Sequence, residues 1–167
     1  LHEGIDSKFS IDDYSQYVPA LSVYGLNLFG IKCVHDFKDR TMILAMSAIT
    51  MGIVSNTMKH TIKEMRPDGT TNNSFPSGHT AMAFMGAEFL YQEYKNVSPW
   101  IGVAGYAVAA GTGFFRMYNN RHWLNDILAG AGIGILSTKF SYWIYPKIFK
   151  NADCMKKKRS TQFVAMP

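Results

Sequence analysis

The feature that most constrains the fold is a series of five long apolar segments separated by residues that form turns. None of them alternates polar and apolar residues in the way a half-buried β-strand does. Each is long enough for a helix and is bounded by Pro, Gly or Asn, which begin or end helices. The sequence therefore predicts an all-α helical bundle of about five to six helices, with helices over 17–31, 39–66, 80–94, 98–118 and 122–145.

The chain length of 167 residues suits a single domain. We expect one helical domain over 1–150 and a basic C-terminal tail over 151–167. Five of the 17 Lys and Arg residues lie within 150–160, and the net charge is +5. Such a tail is either solvated or attracted to anionic lipid head groups. We do not expect nucleic acid as a partner, because the basic residues do not interleave with aromatic ones.

The composition lies between that of a soluble helical domain and that of a membrane protein. Charged residues make up 17% of the chain, against about a quarter in an average soluble domain. The mean hydropathy of −0.06 is nevertheless low for a bundle whose helices mostly face lipid. Most apolar runs fall short of the roughly 20 residues that span a bilayer. Small residues in the last two segments allow close helix packing, which occurs in both classes.

The sequence says little about the compartment. Cys33 and Cys154 permit one disulfide without requiring it, and they lack a metal-type spacing. Residues 1–17 are polar and show no basic start followed by an apolar run, so no signal peptide is visible.

The first polar cluster lies at the end of the second segment. Lys59, Lys63 and Arg66 share one face of a continuous helix at 3.6 residues per turn, and Pro67 then ends that helix. Alone, such a stripe is typical of an exposed polar face, or of cations that pair with a helix C-terminus.

The second cluster is FPSGH at 75–79, where a tight turn leads directly into a helix. The first N–H groups of a helix point outward and favour an anion. Ser77 and Gly78 stand at this point, and His79 follows. In isolation, Ser77 is equally explained as an ordinary N-cap and His79 as a first-turn residue.

The third cluster is RMYNNRHWLND. His122 and Asp126 are four residues apart, so they lie on one face of the last helix, where a carboxylate fixes the tautomer of an imidazole. The two Asn residues before them break the chain, so Arg116 ends one helix beside the start of the next. Because this connector is short, we expect the flanking helices to be antiparallel neighbours. A surface His–Asp pair is the alternative.

Together, the three clusters predict an active site at one end of the bundle. Lys59, Arg66 and Arg116 supply positive charge for a phosphate, and the planar guanidinium binds phosphate oxygens in pairs. The backbone of 77–79 adds N–H donors. Of the two histidines, one can act as a nucleophile and the other as a general acid. Phosphoryl transfer rests on positioning and charge stabilisation, and we expect no metal and no cofactor.

The order and spacing of these residues resemble the three-part signature of the type 2 phosphatidic acid phosphatase family, which is related to vanadium-dependent haloperoxidases and bacterial acid phosphatases. That signature is Lys, six residues and Arg-Pro; then Pro-Ser-Gly-His; then Ser-Arg, five residues, His, three residues and Asp. KHTIKEMRP, PSGH and RMYNNRHWLND match it over 59–126. One position departs, since Phe115 stands where the family often has Ser, and we expect it to make the pocket wall more apolar.

The resemblance implies a role for each matching residue. His122 would attack phosphorus and form a phosphohistidine, Asp126 would orient His122, and His79 would protonate the leaving oxygen. The residues implied to bind the phosphate are Lys59, Arg66, Ser77, Gly78 and Arg116. The family gives Lys63 no role, and we interpret it as a charge at the rim of the site.

The resemblance also implies a substrate class and a location. We expect a metal-independent phosphatase that acts on a phosphate monoester or pyrophosphate carried by a lipid, of the phosphatidate, phosphatidylglycerophosphate, undecaprenyl pyrophosphate or lipid A type. The membrane or its surface is the expected partner, in the bacterial cell envelope, inner-membrane or periplasmic, with the active site facing the periplasm. The alternatives are a soluble periplasmic non-specific acid phosphatase, a vanadate-dependent haloperoxidase, which the short chain disfavours, and a helical membrane or scaffold protein with a vestigial site.

Overall fold

The computed structural model describes the backbone of residues 11–164 and the side chains of residues 13–149. Within these residues the chain forms helices and no strand, which confirms the predicted all-α bundle of about five to six helices. The six helices are α1 (Ile11–Ser15), α2 (Val18–Leu28), α3 (Phe37–Thr61), α4 (Gly78–Tyr94), α5 (Pro99–Tyr118) and α6 (Leu124–Val164).

The helix α4 lies at the centre of the bundle. It packs against α2, α3, α5 and α6, and its buried residues face every one of these neighbours. Its apolar side chains belong to three clusters of the core. The buried members of these clusters on α4 are Ala81, Ala83, Met85, Ala87, Phe89, Leu90 and Tyr94.

Glycines bring α5 and α6 close to the backbone of α4. A Cβ atom added to Gly134 of α6 would lie 2.3 Å from the carbonyl oxygen of Ala81, and one on Gly130 would lie 2.5 Å from that of Ser77. On α5, a Cβ atom on Gly105 would meet the side chain of Leu90 at 2.8 Å. The close helix packing predicted from the small residues is therefore confirmed.

The predicted continuation of the second helix to Arg66 is wrong. The helix α3 ends at Thr61, and Ile62 is extended, with φ −107° and ψ 107°. The connector then folds back on itself, since the amide of Ser74 donates to the carbonyl oxygen of Glu64 at 3.0 Å. Lys63 and Arg66 consequently do not share a helix face with Lys59, because tertiary pairing of the connector ends the helix before the proline does.

The predicted end of the last helix at Pro146 is also wrong, because α6 passes through this residue to Val164. A proline inside a helix removes one N–H donor and crowds the carbonyl group four residues earlier, which disfavours the helix but does not have to end it. The predicted basic tail over 151–167 begins on this extension, and its side chains lie outside the described residues.

Of the two cysteines, only the side chain of Cys33 lies within the described residues. Cys33 is a free thiol, and its sulfur accepts a hydrogen bond from Arg40 Nη1 at 2.8 Å.

The helices α5 and α6 are not the packed neighbours that the short connector predicts. The helix α4 packs between them, and α5 and α6 share few contacts of their own. They approach near the connector, where a Cβ atom on Gly113 would lie 3.0 Å from Cγ2 of Ile127. A short connector fixes only the ends of two helices, so the rest of their axes can diverge around a third.

Among the described residues, two helices are long and apolar enough to cross a membrane, namely Phe37–Thr61 and Leu124–Phe149, with 25 and 26 residues. Only 22% and 33% of their most apolar stretches are buried inside the bundle. Large apolar side chains therefore face outward along both: Ile49, Ile53, Leu128, Leu136, Phe140 and Trp143. Core packing alone does not account for the apolar composition of these two helices.

We expect Gly134→Ala to destabilise the fold by about 1–3 kcal/mol, because its methyl group would overlap the carbonyl oxygen of Ala81. Gly132→Ala is the matched control on the same helix, since its Cβ atom would meet nothing within 4 Å. That control should leave stability unchanged or raise it by up to about 1 kcal/mol. Thermal unfolding in detergent measures both, and equal effects at the two positions would contradict the close α4–α6 packing.

Candidate active site

Four helix ends meet at one end of the bundle, as predicted. The C-terminal ends of α3 and α5 and the N-terminal ends of α4 and α6 carry the polar clusters. The amide of Ser77, just before α4, donates to the backbone carbonyl oxygen of Asp126 in the first turn of α6 at 3.0 Å. Lys59, in the last turn of α3, donates from Nζ to the carbonyl oxygen of Asn73 in the connector at 3.0 Å.

His122 and Asp126 form a buried pair. His122 is 3% exposed and Asp126 is fully buried, and Nδ1 of the imidazole lies 3.4 Å from Oδ2 of the carboxylate. The same oxygen accepts a hydrogen bond from the amide of Trp123 at 2.8 Å. A carboxylate at Nδ1 favours the tautomer with the proton on that nitrogen, which leaves Nε2 with a lone pair for nucleophilic attack. The alternative of a surface pair is excluded by this burial.

Ser74 is a residue of the site that sequence reasoning missed. Its side chain is fully buried, and its hydroxyl donates to Oδ2 of Asp126 and lies 3.5 Å from Nδ1 of His122. It therefore fixes the position of the carboxylate from the side of the connector. The only signal in the sequence was its place two residues before the Pro-Ser-Gly turn.

Burial lowers the pKa of His122 from 6.5 to about 4, and the positive charge of Arg116 acts in the same direction. Asp126 opposes this shift, while Lys59 and Arg66 add to it. The imidazole is therefore neutral at pH 7, which is the state a nucleophile needs. The three cations predicted to bind a phosphate thus surround one neutral histidine.

Arg66 belongs to this group although it lies on the connector. Its amide donates to the carbonyl oxygen of Thr71 at 3.0 Å, and its own carbonyl oxygen accepts from Gly69 at 2.9 Å, where φ is +69°. Its Nε is buried and has no hydrogen-bond partner among the residues that the structure describes. Lys63 is exposed, which agrees with a position at the rim.

Ser77 is the N-cap of α4, which was the plainer of the two predictions for it. Its hydroxyl accepts from the amide of Thr80 at 3.4 Å, and its own amide is bound to α6. Its polar groups are therefore already used inside the protein. A Cβ atom on Gly78 would meet nothing within 4 Å, so open space lies before the N-terminus of α4, where an anion is favoured.

His79 and Arg116 are linked by a second residue that the sequence did not reveal, Asp13 of α1. Its Oδ1 lies 3.1 Å from Nε2 of His79 and 3.5 Å from Nη1 of Arg116. The side chain of Arg116 is only 10% exposed, whereas that of Asp13 is 56% exposed. No sequence pattern connects a polar residue near the start of the chain with a cluster a hundred residues later.

Among residues 13–149, no three His, Cys, Asp or Glu side chains are grouped in a way that could hold a metal ion. The site instead offers positive charge, a helix N-terminus and a neutral imidazole.

Phe115, which stands where the family often has Ser, packs edge-on against Phe114, with ring centroids 6.0 Å apart. Its predicted effect, a more apolar pocket wall, stays a prediction.

A family model for the PAP2 superfamily matches residues 40–150. The chain belongs to this superfamily. The match contains every residue of the site named above except Asp13. It also confirms the resemblance drawn from the three-part signature, because that signature lies wholly inside the matched region.

Two relatives are similar in sequence to this PAP2 chain. A lipid A 1-phosphatase of Porphyromonas gingivalis is 43% identical over 142 residues, which are 84% of this chain and 32% of that protein. The bacitracin transport permease protein BcrC of Bacillus licheniformis is 34% identical over 77 residues, which are 46% of this chain and 36% of that protein. The chain spans about a third of the length of these relatives.

Two crystal structures share the fold. LpxE of Aquifex aeolicus has a TM-score of 0.62 and 23% identity, covering 79% of this chain and 83% of that one. A transmembrane PAP2-type phosphatidylglycerolphosphate phosphatase from Bacillus subtilis has a TM-score of 0.59 and 22% identity, covering 83% and 77%. At these identities the likeness establishes the bundle architecture alone.

We expect the protein to lose stability as the pH falls from about 6.5 to about 4, in part through His122. Its pKa is lowered to about 4 in the folded state, against about 6.5 when exposed. The unfolded chain therefore binds more protons in this window, and acid favours unfolding. His122→Asn should show a shallower decline in thermal midpoint from pH 6.5 to 4. Parallel curves for the two proteins would contradict a neutral, buried His122.

Proposed function

We propose that this chain is a metal-independent phosphatase that hydrolyses a phosphate monoester or pyrophosphate carried by a lipid, through a phosphohistidine intermediate. The observation that carries the proposal is the neutral, buried His122, held by Asp126 and surrounded by Lys59, Arg66 and Arg116. Phosphoryl transfer needs little else than a positioned nucleophile and positive charge around the transferred oxygens.

In the first step, Nε2 of His122 attacks phosphorus while the bond between phosphorus and the leaving oxygen breaks. His79 donates its proton to that oxygen, so the alcohol or phosphate leaves in neutralised form. Asp126 stabilises the positive charge that develops on the imidazole of His122. The non-bridging oxygens are bound by the three cations, with the amide of Gly78 as a further donor.

In the second step, water attacks the phosphohistidine. His79, now neutral, takes a proton from this water, and the bond between Nε2 and phosphorus breaks. Inorganic phosphate and free His122 result, and His79 regains the protonated state from which the cycle began. Ser74 keeps Asp126 in place through both steps.

The exposed apolar faces of α3 and α6 support a lipid as the carrier of the phosphate. These outward apolar faces support a position in a bilayer, with the end of the bundle that carries the site at the head groups. A soluble acid phosphatase would not need outward side chains such as Leu136 and Trp143. The printed activity of the Porphyromonas gingivalis relative, a lipid A 1-phosphatase, agrees with this substrate class.

The distribution of basic residues supports an active site that faces the periplasm. Connectors at the opposite end of the bundle carry Lys32 and Lys95, and the chain after the second candidate span carries Lys150 and the run at 156–159. The basic residues at the other end lie in or beside the candidate phosphate site, which accounts for them separately. Basic residues next to spanning helices favour the cytoplasmic side. We therefore place the chain in the bacterial inner membrane, with the ends of α3 and α5 at the outer surface.

Replacement of the nucleophile should abolish turnover. We expect His122→Ala to lower the rate of phosphate release from a dispersed lipid phosphate by at least about 10³-fold, because His122 supplies the nitrogen that forms the covalent intermediate. Wild-type activity should persist with a chelator present. Arg121→Ala is a matched control beside the site, since Arg121 pairs with Asp68 at 3.6 Å. Wild-type rates for His122→Ala would exclude the proposed mechanism.

The contribution of His79 to the rate should depend on how readily the leaving group departs without a proton. We expect His79→Ala to lower kcat about 10²–10⁴-fold for a lipid phosphate, whose alkoxide leaves poorly without a proton. The loss should be much smaller for p-nitrophenyl phosphate, because nitrophenolate leaves without protonation. Steady-state kinetics on both substrates measure the difference. An equal loss on both would show that His79 does not act as the general acid.

A further inference from the structure

We propose that Asp13 competes with the phosphate of the substrate for Arg116 and His79, and thereby lowers the affinity of the site for phosphate. This inference rests on the proposed function, since it takes these two residues to meet the phosphate and the leaving oxygen. One carboxylate oxygen of Asp13 contacts both of them, at 3.5 Å from Arg116 Nη1 and 3.1 Å from His79 Nε2.

A phosphate ester would present its oxygens to the same two groups. One of its non-bridging oxygens would accept hydrogen bonds from the guanidinium of Arg116, and its bridging oxygen would face the imidazole of His79. Both are charge-assisted contacts of the kind that a carboxylate also makes. Asp13 therefore occupies, in the substrate-free protein, contacts that the substrate needs.

The exposures of Arg116 and Asp13 indicate which of the two side chains moves when the substrate binds. Arg116 is largely buried and is held in α5, whereas the side chain of Asp13 is 56% exposed. Asp13 can turn into water and keep its charge solvated, which costs little. It sits on the five-residue helix α1, tied to α5 through Ser15 Oγ, which lies 2.8 Å from Thr112 Oγ1.

Charge repulsion prevents the phosphate and the carboxylate of Asp13 from binding Arg116 at the same time. A phosphate dianion at Arg116 and an ionised Asp13 at the same guanidinium would lie within a few ångströms of each other and repel. Substrate binding must therefore displace the carboxylate. Its return after cleavage opposes rebinding of inorganic phosphate, which would otherwise remain bound by Lys59, Arg66 and Arg116.

The test compares Asp13→Asn and Asp13→Ala with the wild-type protein, with inorganic phosphate and orthovanadate as the probes. We expect both variants to lower the inhibition constants of the two anions by about two- to fivefold, the range for a partly exposed ion pair, and to lower KM in parallel. Asn keeps the shape and one acceptor oxygen of Asp without its charge. Unchanged or raised inhibition constants would overturn the proposal, as would a loss of kcat alone, which would indicate that Asp13 only positions His79.

The control is Asp36→Asn, which removes the same charge from an exposed residue before α3. Its distance from the site is about the length of that 25-residue helix, or roughly 37 Å, and Asn caps a helix as well as Asp does. This variant should leave both inhibition constants unchanged. A wild-type chain without phosphate release would refute the proposed function, and ³¹P NMR titration with phosphate would then still test the competition. Normal turnover with equal binding in all variants would refute the role of Asp13 alone.

Discussion

The structure of the site depends on Asp126, because this one residue ties three separate parts of the chain together. Its backbone carbonyl oxygen accepts the amide that precedes α4. Its carboxylate accepts from Ser74 of the connector and from Trp123 at the start of α6, and it faces the imidazole of His122. A fully buried carboxylate is costly unless such partners surround it. The bonds to Oδ2 and to the backbone carbonyl oxygen of Asp126 therefore fix His122 relative to the N-terminus of α4, while Oδ1 is buried without a hydrogen-bond partner among the described residues.

Positive charge is concentrated in this site. Lys59, Arg66 and Arg116 all act on His122, and Asp126 is the carboxylate that opposes them there. The buried Nε of Arg66 has no hydrogen-bond partner within the described part of the chain. Such a cluster of like charges is unfavourable in an empty site and becomes favourable when an anion enters. Asp13, whose side chain is 56% exposed, adds a negative charge beside Arg116 and His79.

The remainder of the bundle holds these helix ends in register. Glycines at the α4–α6 contact let the two backbones touch, and the N-terminal ends of both helices lie at the same end of the bundle. The connector between α3 and α4 is held by backbone pairing within itself and carries Arg66 and Ser74 into the site. The outer faces of α3 and α6 stay apolar. The outward apolar faces and the cluster of charged side chains thus occupy different parts of the bundle.

The sequence by itself determined the helical class, the approximate helix positions and the residues with anion chemistry, because helix periodicity, turn residues and motif spacing are local properties. Only the tertiary structure decided that α3 stops at Thr61, since the pairing of Ser74 with Glu64 competes with helix propagation. It also decided that α4 separates α5 from α6, and that Ser77 caps its helix. Ser74 and Asp13 could not be found from the sequence, because each acts through contacts with residues 48 to 103 positions away. Such contacts follow from how the helices pack, which no local pattern encodes.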